Sequence, residues 1–470
     1  MAAVLSAPFR GTPAHRALQR GAKFLLPAGV KLAALGSSSI ERNTGAYSTS
    51  PPMISGQASG GLTYARMRDP RFDFTNWFDL ADPLGRKMSG ANFGKSGSGM
   101  TQQAELVGTI IARGYGACLL QLGQNDLNGP EKVPALLAKY EDLFLRPLKA
   151  AGVACYVATL NPRAHAGTAN NGSALPPGDP FFRKRLEFNA ALPALCDKFG
   201  AELIDSGPYL EDPASPVRAA RAGVSEDGLH LTPLGCWLWS AAAQEVFART
   251  IESGSGHLVS SGAPGNLFSN GLLAGSAGVA GLGASGALPD KVRASTLGGA
   301  AITGFANSIV ADPGAGNAIR STISLASATG DVARWLFTDF PGTSASSLST
   351  PGLAGIWVRA MLRVFVESGA EHLQDLGLFL RPRATSTGAD LFQASEATSN
   401  RSATEPVADG SMNGRSLWFV TEPMLCPAGS EFLNFSLEAY LAGSGVVVME
   451  VSQPRLWAVP NPRFWPEGVG

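Results

Sequence analysis

Cysteine and histidine are scarce in this sequence, and their spacing excludes several classes of site. Among 470 residues there are five of each. No two cysteines form a Cys-x-x-Cys pair, which argues against a disulfide framework and a thiolate metal site. Most of the cysteines lie in apolar runs, where this residue is usually a small buried side chain. No two histidines are spaced as a zinc motif requires. The five candidates for histidine-dependent chemistry are His15, His165, His230, His257 and His372.

Charge of either sign is sparse as well. Charged residues make up 16% of the chain, and 37 basic residues balance 37 acidic ones. A net charge of zero gives no electrostatic reason to expect nucleic acid or an anionic membrane as a partner. Long apolar runs are also absent, since none approaches the roughly 18 residues that a membrane-spanning helix needs.

Residues 1–30 lack acidic side chains and do not resemble a signal peptide. Their short apolar run precedes the positive charges, which is the reverse of the order in a secretory signal. The positive charges belong to Arg10, Arg16, Arg20 and Lys23. We interpret this N-terminal arm either as a solvated tail or as a docking element for a larger assembly. Localisation stays open between a phage-like particle, the cytoplasm and export by a non-standard route.

The chain is longer than one hydrophobic core usually organises, so two domains are expected. In residues 31–252, short apolar runs alternate with longer amphipathic ones. We predict strands at 31–35, 117–122, 153–160 and 202–204, and helices at 102–113, 132–150, 181–198 and 233–249. This alternation is typical of an α/β fold in which helices cover both faces of a parallel sheet, in three layers.

Functional groups collect at the carboxyl ends of the strands in such sheets. Chemistry is therefore expected just after Leu35, just after Leu122 and in the loop before Pro233. Residues 41–91 form a long predicted loop of the kind that shapes a substrate cleft. This loop contains the aromatic residues Phe72, Phe74, Trp77 and Phe78.

A glycine- and serine-rich stretch, residues 253–265, is the predicted linker between the domains. Residues 266–470 then contain strand-like runs separated by Gly, Ser, Pro and Asn. The runs lie at 356–366, 376–380, 417–421, 432–441 and 446–451, and the first alternates between two faces. This spacing predicts an antiparallel β-sandwich.

Four short polar blocks lie at the expected edge of the parallel sheet. Gly36-Ser37-Ser38 follows the first strand, where a serine in a tight turn is exposed beside backbone N–H groups. Residues 92–97 and Gly123-Gln124-Asn125-Asp126 contain donors suited to stabilise a developing negative charge. Asp227-Gly228-Leu229-His230 spaces a carboxylate and an imidazole so that the carboxylate can hold the tautomer of the ring. Each block by itself is typical of an ordinary turn.

Together, and in this order, the blocks resemble those of the SGNH (GDSL-like) hydrolase family over about residues 30–250. The resemblance implies a serine esterase that acts through an acyl-enzyme intermediate, with no metal and no cofactor. It implies Ser38 as nucleophile, His230 as general base and then acid, and Asp227 as the residue that orients His230. It also implies an oxyanion hole made of the Ser38 and Gly97 N–H groups and the Asn125 side chain.

Two features depart from the family pattern. Ser37 stands where the family has an aspartate, so Ser37, Ser38 and Ser39 form a run of three serines. Only alignment from Gly36 selects the middle one as nucleophile. The loop between the first two blocks is also long, so the acyl pocket cannot be inferred from shorter relatives.

The start of the second domain, residues 265–271, resembles the jelly-roll modules attached to polysaccharide-active proteins. That resemblance implies that the face bearing Trp357, Arg359 and Phe365 stacks on sugar rings. The alternative is that these side chains pack beneath a loop or against the catalytic domain. An esterase joined to such a module also resembles phage tail or spike proteins, with the N-terminal arm attached to other virion proteins.

Three functional hypotheses follow. The first is a carbohydrate esterase that removes acetyl groups from a bacterial polysaccharide, and the second is a lipid or small-ester hydrolase. An open polar cleft would favour the first, and a long apolar cleft would favour the second. The third is a structural or adhesive particle protein with a vestigial site. The sequence leaves open the acyl group, the glycan and whether the chain forms a homo-oligomer.

Overall fold

The computed structural model describes most of both predicted domains. The described residues are 21–28, 30–41, 47–49, 52–57, 61–69, 92–164, 175–176, 178–225, 227–252, 262, 265–297, 301–339, 348–349, 352–398, 410–421 and 423–459. Residues 1–20 of the N-terminal arm, the aromatic residues at 72–78 and nearly all of 253–265 lie outside these ranges. The docking arm, the aromatic cleft loop and the linker therefore stay predictions.

A parallel sheet organises the first half of the chain. In chain order, the strands of this half are β1 (Leu32–Gly36), β2 (Tyr47–Thr49), β3 (Pro52–Gln57), β4 (Asn92–Gly94), β5 (Ala117–Gln121), β6 (Ala154–Ala158) and β7 (Glu202–Ile204). Five of them form one sheet in the order β4-β1-β5-β6-β7, with every neighbouring pair parallel. The predicted α/β fold class is confirmed.

Helices connect these strands. They are α1 (Ser38–Glu41), α2 (Gly61–Arg68), α3 (Met100–Ala104), α4 (Val107–Ala112), α5 (Val133–Tyr140), α6 (Arg146–Ala150), α7 (Pro180–Phe199), α8 (Gly207–Leu210) and α9 (Pro233–Thr250). The two longest begin where side chains accept bonds from the first turn: Asp179 from the Phe181 N–H, and Thr232 from the Gly235 N–H. Such caps satisfy donors that a helix start leaves open.

Two predicted helices differ in detail from those observed. The helix predicted at 102–113 is divided into α3 and α4, which Glu105 and Leu106 separate. The helix predicted at 132–150 contains a π-helical turn, Glu141–Leu145, between α5 and α6. Strand β4 is an additional element, because its three residues are too few to show any alternation in the sequence.

The second half of the chain forms a large mixed sheet that folds as a β-sandwich. Its strands are β8 (Val279–Ala280), β9 (Ala284–Gly286), β10 (Val292–Thr296), β11 (Ile302–Ala311), β12 (Asn317–Phe337), β13 (Leu348–Ser349), β14 (Trp357–Ser368), β15 (Leu373–Arg383), β16 (Gln393–Ala397), β17 (Arg415–Val420), β18 (Met424–Leu425) and β19 (Phe432–Val459). The sandwich prediction is confirmed. The runs predicted at 432–441 and 446–451 are parts of the single long strand β19.

The stretch predicted as a cleft loop contributes to the second sheet. Strand β3 pairs in parallel with β16, with Met53 opposite Gln393, and β2 pairs with β3 in antiparallel orientation. The second sheet therefore has 14 strands, two of which come from the first half of the chain. The pairing of β3 with β16 therefore connects the two halves through residues that lie far before 253–265 in the chain.

Helix α2 lies at the contact between the two halves. Its Tyr64 hydroxyl donates to the Thr398 carbonyl at 2.7 Å, and Arg68 stacks over the Trp237 ring at 3.3 Å from its centroid. Trp237 in turn donates to the Ser411 hydroxyl at 2.9 Å. Burial lowers the pKa of Arg68 to about 9, and nearby Arg415 acts in the same direction. Buried apolar residues of both halves accordingly belong to one continuous core.

Within the described ranges, no helix has both the length and the apolar character that crossing a membrane requires.

Gly94 is a position where a side chain should disturb both folding and the turn that follows β1. A Cβ atom there would lie 2.1 Å from the Glu41 backbone nitrogen, which is far inside contact distance. We expect Gly94→Ala to lower the free energy of unfolding by about 3 kcal/mol, since overpacking forces the backbone to shift. Urea denaturation would measure the loss.

Gly108 in helix α4 provides the matched control, because a Cβ there meets nothing within 4 Å. Gly108→Ala should leave stability unchanged or raise it by up to about 1 kcal/mol, as alanine favours helices. Equal losses for the two variants would contradict the packing argument.

Candidate active site

The carboxyl ends of three parallel strands are level at one edge of the first sheet. Gly36 of β1 lies opposite Gly94 of β4 and opposite Gln121 of β5. The first, second and third polar blocks of the sequence therefore emerge side by side. The fourth block precedes α9 and reaches the same edge.

The turn after β1 is tight because Gly36 has no side chain. A Cβ there would lie 2.5 Å from the Ile40 side chain and 2.6 Å from the Gln121 carbonyl oxygen. Helix α1 follows at once, and the Ser37 carbonyl accepts bonds from the Ile40 and Glu41 N–H groups at 3.0 Å each. Ser38 is consequently the first residue of a short helix placed directly above the end of β1.

The second block fixes this short helix from the other side. The Asn92 amide donates to the Ile40 carbonyl at 2.9 Å, and its oxygen accepts from the Gly94 N–H at 2.9 Å. Glu41 accepts bonds from both the backbone N–H and the hydroxyl of Ser96. These bonds stabilise the end of α1 against the glycine-containing turn.

Ser38, His230 and Asp227 form a continuous hydrogen-bonded chain. The Ser38 Oγ atom lies 2.8 Å from His230 Nε2, and His230 Nδ1 lies 2.6 Å from Asp227 Oδ2. The structure thereby distinguishes the middle serine from its neighbours, because the hydrogen bond to His230 Nε2 is made by the Ser38 hydroxyl. This is the arrangement of nucleophile, base and orienting carboxylate that serine-dependent acyl transfer requires.

The Asp227 carboxylate is held by the backbone of its own block. Its Oδ1 atom accepts from the Leu229 N–H at 2.9 Å and from the His230 N–H at 2.8 Å. Partial burial raises the pKa of Asp227, but these hydrogen bonds and the one from the His230 ring outweigh it and lower the pKa to about 2. The carboxylate is therefore charged throughout the neutral pH range, as an orienting group must be.

The predicted oxyanion donors lie around the same turn. Asn125 Nδ2 donates to the Ser98 carbonyl at 2.9 Å, which ties the third block to the residue after Gly97. An amide nitrogen has two protons, so one is left for a ligand. Gly97 is exposed with φ +74°, and a Cβ there would meet nothing within 4 Å. The surface beside Gly97 is therefore open.

Asp126 is a structural residue to which the sequence analysis assigned no role. Its carboxylate oxygens accept from the Met100 N–H at 3.2 and 3.1 Å, at the start of α3. Burial raises the pKa of Asp126, with the Met100 bond opposing it. The hydrogen bonds of Asp126 connect the third polar block to the start of α3, just after the second block. Its position after the end of β5 was the sequence feature that could have indicated this role.

Arg163 is a further residue near the site that the sequence analysis missed. It follows the carboxyl end of β6, donates to Asn128 Oδ1 at 3.4 Å and lies over the Phe181 ring at 5.1 Å. Burial lowers the pKa of Arg163, whereas nearby Asp179 and Asp227 oppose the shift. Arg163 follows the end of a parallel strand, where functional groups are expected, but the sequence contains no motif at this position.

The predicted sugar-binding face of β14 requires a correction at Arg359. This residue is 3% exposed, and its Nε atom donates to the Thr421 carbonyl at 2.8 Å. Trp357 and Phe365 are half-buried in the same strand. Because its guanidinium is covered and hydrogen-bonded inside the protein, Arg359 is not available to stack on a sugar ring. The packed alternative describes Arg359 correctly.

Among the residues that the structure describes, no three His, Cys, Asp or Glu side chains are grouped as metal ligands. All five cysteines belong to the described residues, where they are buried and form no disulfide.

The chain matches no protein-family model and no curated protein. Among solved structures, its neighbours include GDSL-like hydrolases and esterases. One is a putative acylhydrolase from Bacteroides fragilis, with 16% identity, 50% of this chain and 94% of that chain covered, and a TM-score of 0.32. Another is a carbohydrate esterase of family 3 from Talaromyces cellulolyticus, with 17% identity, 47% and 97% coverage, and a TM-score of 0.32. A carbohydrate-binding module of the β-sandwich superfamily shares 11% identity over 36% of this chain and 57% of its own, with a TM-score of 0.25.

Asn125 should contribute to the rate and not to the binding of substrate. Its free amide proton is suited to stabilise charge that exists only in the transition state, so Asn125→Ala should lower kcat by about 10²–10³-fold with little change in KM. Steady-state hydrolysis of p-nitrophenyl acetate would measure both constants. Asn128→Ala, a change in the same exposed turn, should stay within about threefold of wild type. Equal kcat for Asn125→Ala and wild type would contradict the assignment.

Proposed function

We propose that this protein is a serine esterase that removes acyl groups, most simply acetyl groups, from a bacterial polysaccharide. The observation that carries the proposal is the hydrogen-bonded chain from Ser38 through His230 to Asp227, with 2.8 and 2.6 Å between the paired atoms. These residues come from opposite ends of the first half of the chain. Their meeting at the edge of a parallel sheet supports a catalytic role over that of an ordinary turn.

The proposed mechanism proceeds in two halves. Ser38 Oγ attacks the ester carbonyl while His230 Nε2 accepts the hydroxyl proton and then donates it to the departing alkoxide. The Ser38 and Gly97 N–H groups and the Asn125 amide stabilise the oxyanion of each tetrahedral intermediate. A water molecule, deprotonated by His230, then attacks the acyl-enzyme. The bond from the acyl carbon to Ser38 Oγ breaks, His230 returns the proton to Ser38 Oγ, and the carboxylic acid is released. Asp227 holds the imidazole in the tautomer that both halves need.

A glycan substrate is supported by the surface next to the nucleophile. The exposed side chains in the second polar block and in the turn after the third, Lys95, Ser96 and Asn128, are polar. A long acyl chain would instead require an apolar channel. The lipid or small-ester hydrolase stays the second proposal, since residues 70–91 of the predicted cleft loop lie outside the described ranges.

The catalytic proposal is tested by covalent labelling. Diethyl p-nitrophenyl phosphate reacts with an activated serine, so it should modify one residue, and peptide mapping by mass spectrometry should locate the label at Ser38. The neighbours Ser37 and Ser39 provide internal controls in the same peptide. Labelling that persists in His230→Ala at the wild-type rate, or that falls on a neighbour, would contradict the mechanism, as would no labelling.

The substrate class is tested separately by acetate release. We expect kcat/KM for acetate release from acetylated polysaccharide to exceed kcat/KM for hydrolysis of p-nitrophenyl butyrate. The reverse order would favour the small-ester or lipid proposal. A vestigial particle protein would give neither acetate release nor serine labelling.

A further inference from the structure

A cluster of four arginines lies on one face of the second sheet. Its members, the arginine cluster, are Arg293, Arg334, Arg381 and Arg383, from strands β10, β12 and β15. On β12 the neighbours Ala333 and Trp335 point into the hydrophobic core, so Arg334 lies on the opposite face. All four arginines are partly exposed.

Strand pairing brings the cluster around one acidic residue. Arg334 lies directly opposite Glu438 of β19, and Arg381 lies opposite Asn434, four residues from Glu438 on the same strand and the same face. Arg381 Nη1 donates to Glu438 Oε1 at 2.7 Å, while Arg383 Nε donates to Asp390 Oδ1 at 2.6 Å. Glu438 itself is almost completely buried, at 3% exposed. Two members of the cluster, Arg381 and Arg383, are thus paired with acidic residues.

Arg334 is the member of the cluster that has no hydrogen-bond or ion-pair partner among the described residues. Its Nε atom is buried, and no hydrogen bond or ion pair to Arg334 occurs within the part of the chain that the structure describes. Burial lowers the pKa of Arg334; Arg381, Arg293 and Arg383 act in the same direction, against Glu438. A partly buried guanidinium without an acceptor costs free energy, and an incoming anion would recover it.

We propose that the arginine cluster binds the carboxylate groups of an acidic polysaccharide. The planar fork of a guanidinium matches a carboxylate with two parallel hydrogen bonds. The choice of a polysaccharide rests on the proposed function of the catalytic half. A sugar polymer with spaced carboxylates can place one of them on Arg334, whose guanidinium has no acceptor among the described residues.

Nucleic acid is the alternative occupant of this surface. Phosphate backbones are bound by rows of cations and by exposed aromatic rings on which bases stack. Phe379 is covered by the Arg381 guanidinium at 4.3 Å from its ring centroid, whereas Phe432, opposite Arg383, is half-buried. The preference for a polysaccharide therefore rests on the proposed function, and binding to single-stranded DNA is the outcome that would contradict it.

The test uses the full-length Ser38→Ala protein and polygalacturonate, a polymer without esters, so that binding is measured apart from hydrolysis. In affinity electrophoresis at low salt, polygalacturonate should retard the protein and neutral galactan should not. Arg334→Gln should weaken binding at least tenfold. Arg320→Gln is the matched control, because Arg320 lies on the same strand, pairs with Glu367 and loses the same charge. It should bind within twofold of the parent.

Several outcomes would overturn the proposal: no retardation by polygalacturonate, equal retardation by galactan, equal loss in both variants, or tighter binding to single-stranded DNA. If Arg334→Gln does not fold, Arg334→Lys keeps the charge but loses the fork and should bind threefold to tenfold more weakly. Unchanged binding by Arg334→Lys would then count against it. Serine labelling is independent of this assay, so failure of the esterase and failure of the anion site give different results.

Discussion

Ser38→Ala is expected to lower kcat/KM for p-nitrophenyl acetate by about 10⁴-fold or more, because no other described hydroxyl reaches His230 Nε2. The residual rate would come from direct attack of water on the ester, with the predicted oxyanion donors still stabilising the charge that forms. Steady-state kinetics with the purified variant would measure the loss, and a single-turnover burst of p-nitrophenol, if wild type shows one, should disappear in the variant.

Ser37→Ala and Ser39→Ala are the matched controls, since they remove the same atom from adjacent residues. Both should retain activity within about tenfold of wild type. Ser37 is buried and acts through its backbone carbonyl, which alanine keeps. Comparable losses in all three variants would show a general disturbance of the turn and remove the reason for choosing Ser38.

Asp227→Asn has the second largest expected effect, a loss of about 10³–10⁴-fold in kcat. The new amide would still accept from the Leu229 and His230 N–H groups through its oxygen, and so turn its NH₂ group toward His230 Nδ1. The imidazole would then carry its proton on Nε2, where it cannot accept the proton of Ser38. Structure would be kept while the tautomer is wrong.

The control for this variant is Asp205→Asn. Asp205 also accepts a backbone N–H, from Gly207 at 3.1 Å, but it lies on an exposed turn after β7. It should leave kcat within twofold of wild type. Because the pKa of Asp227 is about 2, wild-type activity should not fall from protonation of this residue until the pH approaches that value. An acid limb centred near pH 4 and absent from Asp227→Asn would contradict the assignment of the shift.

The parts of the fold that the sequence predicts best are those encoded locally. Helix α7, Pro180–Phe199, was predicted at 181–198, and strand β7, Glu202–Ile204, at 202–204. A capping aspartate, a following glycine and an apolar period mark these elements over a few residues. Strand β4 has no such local signal, because only its pairing with β1 makes its three residues a strand.

The second half shows the same contrast. The alternation of residues 356–366 correctly predicted β14, Trp357–Ser368, but alternation alone cannot tell which face meets solvent. Arg359, for which the sequence left open sugar stacking or internal packing, is buried, and its acceptor is the carbonyl of Thr421, the residue that follows β17. The arginine cluster has the opposite history: its members are spread over 90 residues of sequence, from Arg293 to Arg383, and come together only through strand pairing.

For the candidate site, the sequence by itself determined the chemical groups, their order and their positions at strand ends. It also determined that Ser38 was one serine of three, with nothing local to distinguish it. The tertiary structure decided that choice, since the bond from Ser38 to His230 joins residues 192 positions apart. Local residue patterns set turns, caps and strands, whereas contacts over such separations exist only after the parallel sheet has set the register of its strands.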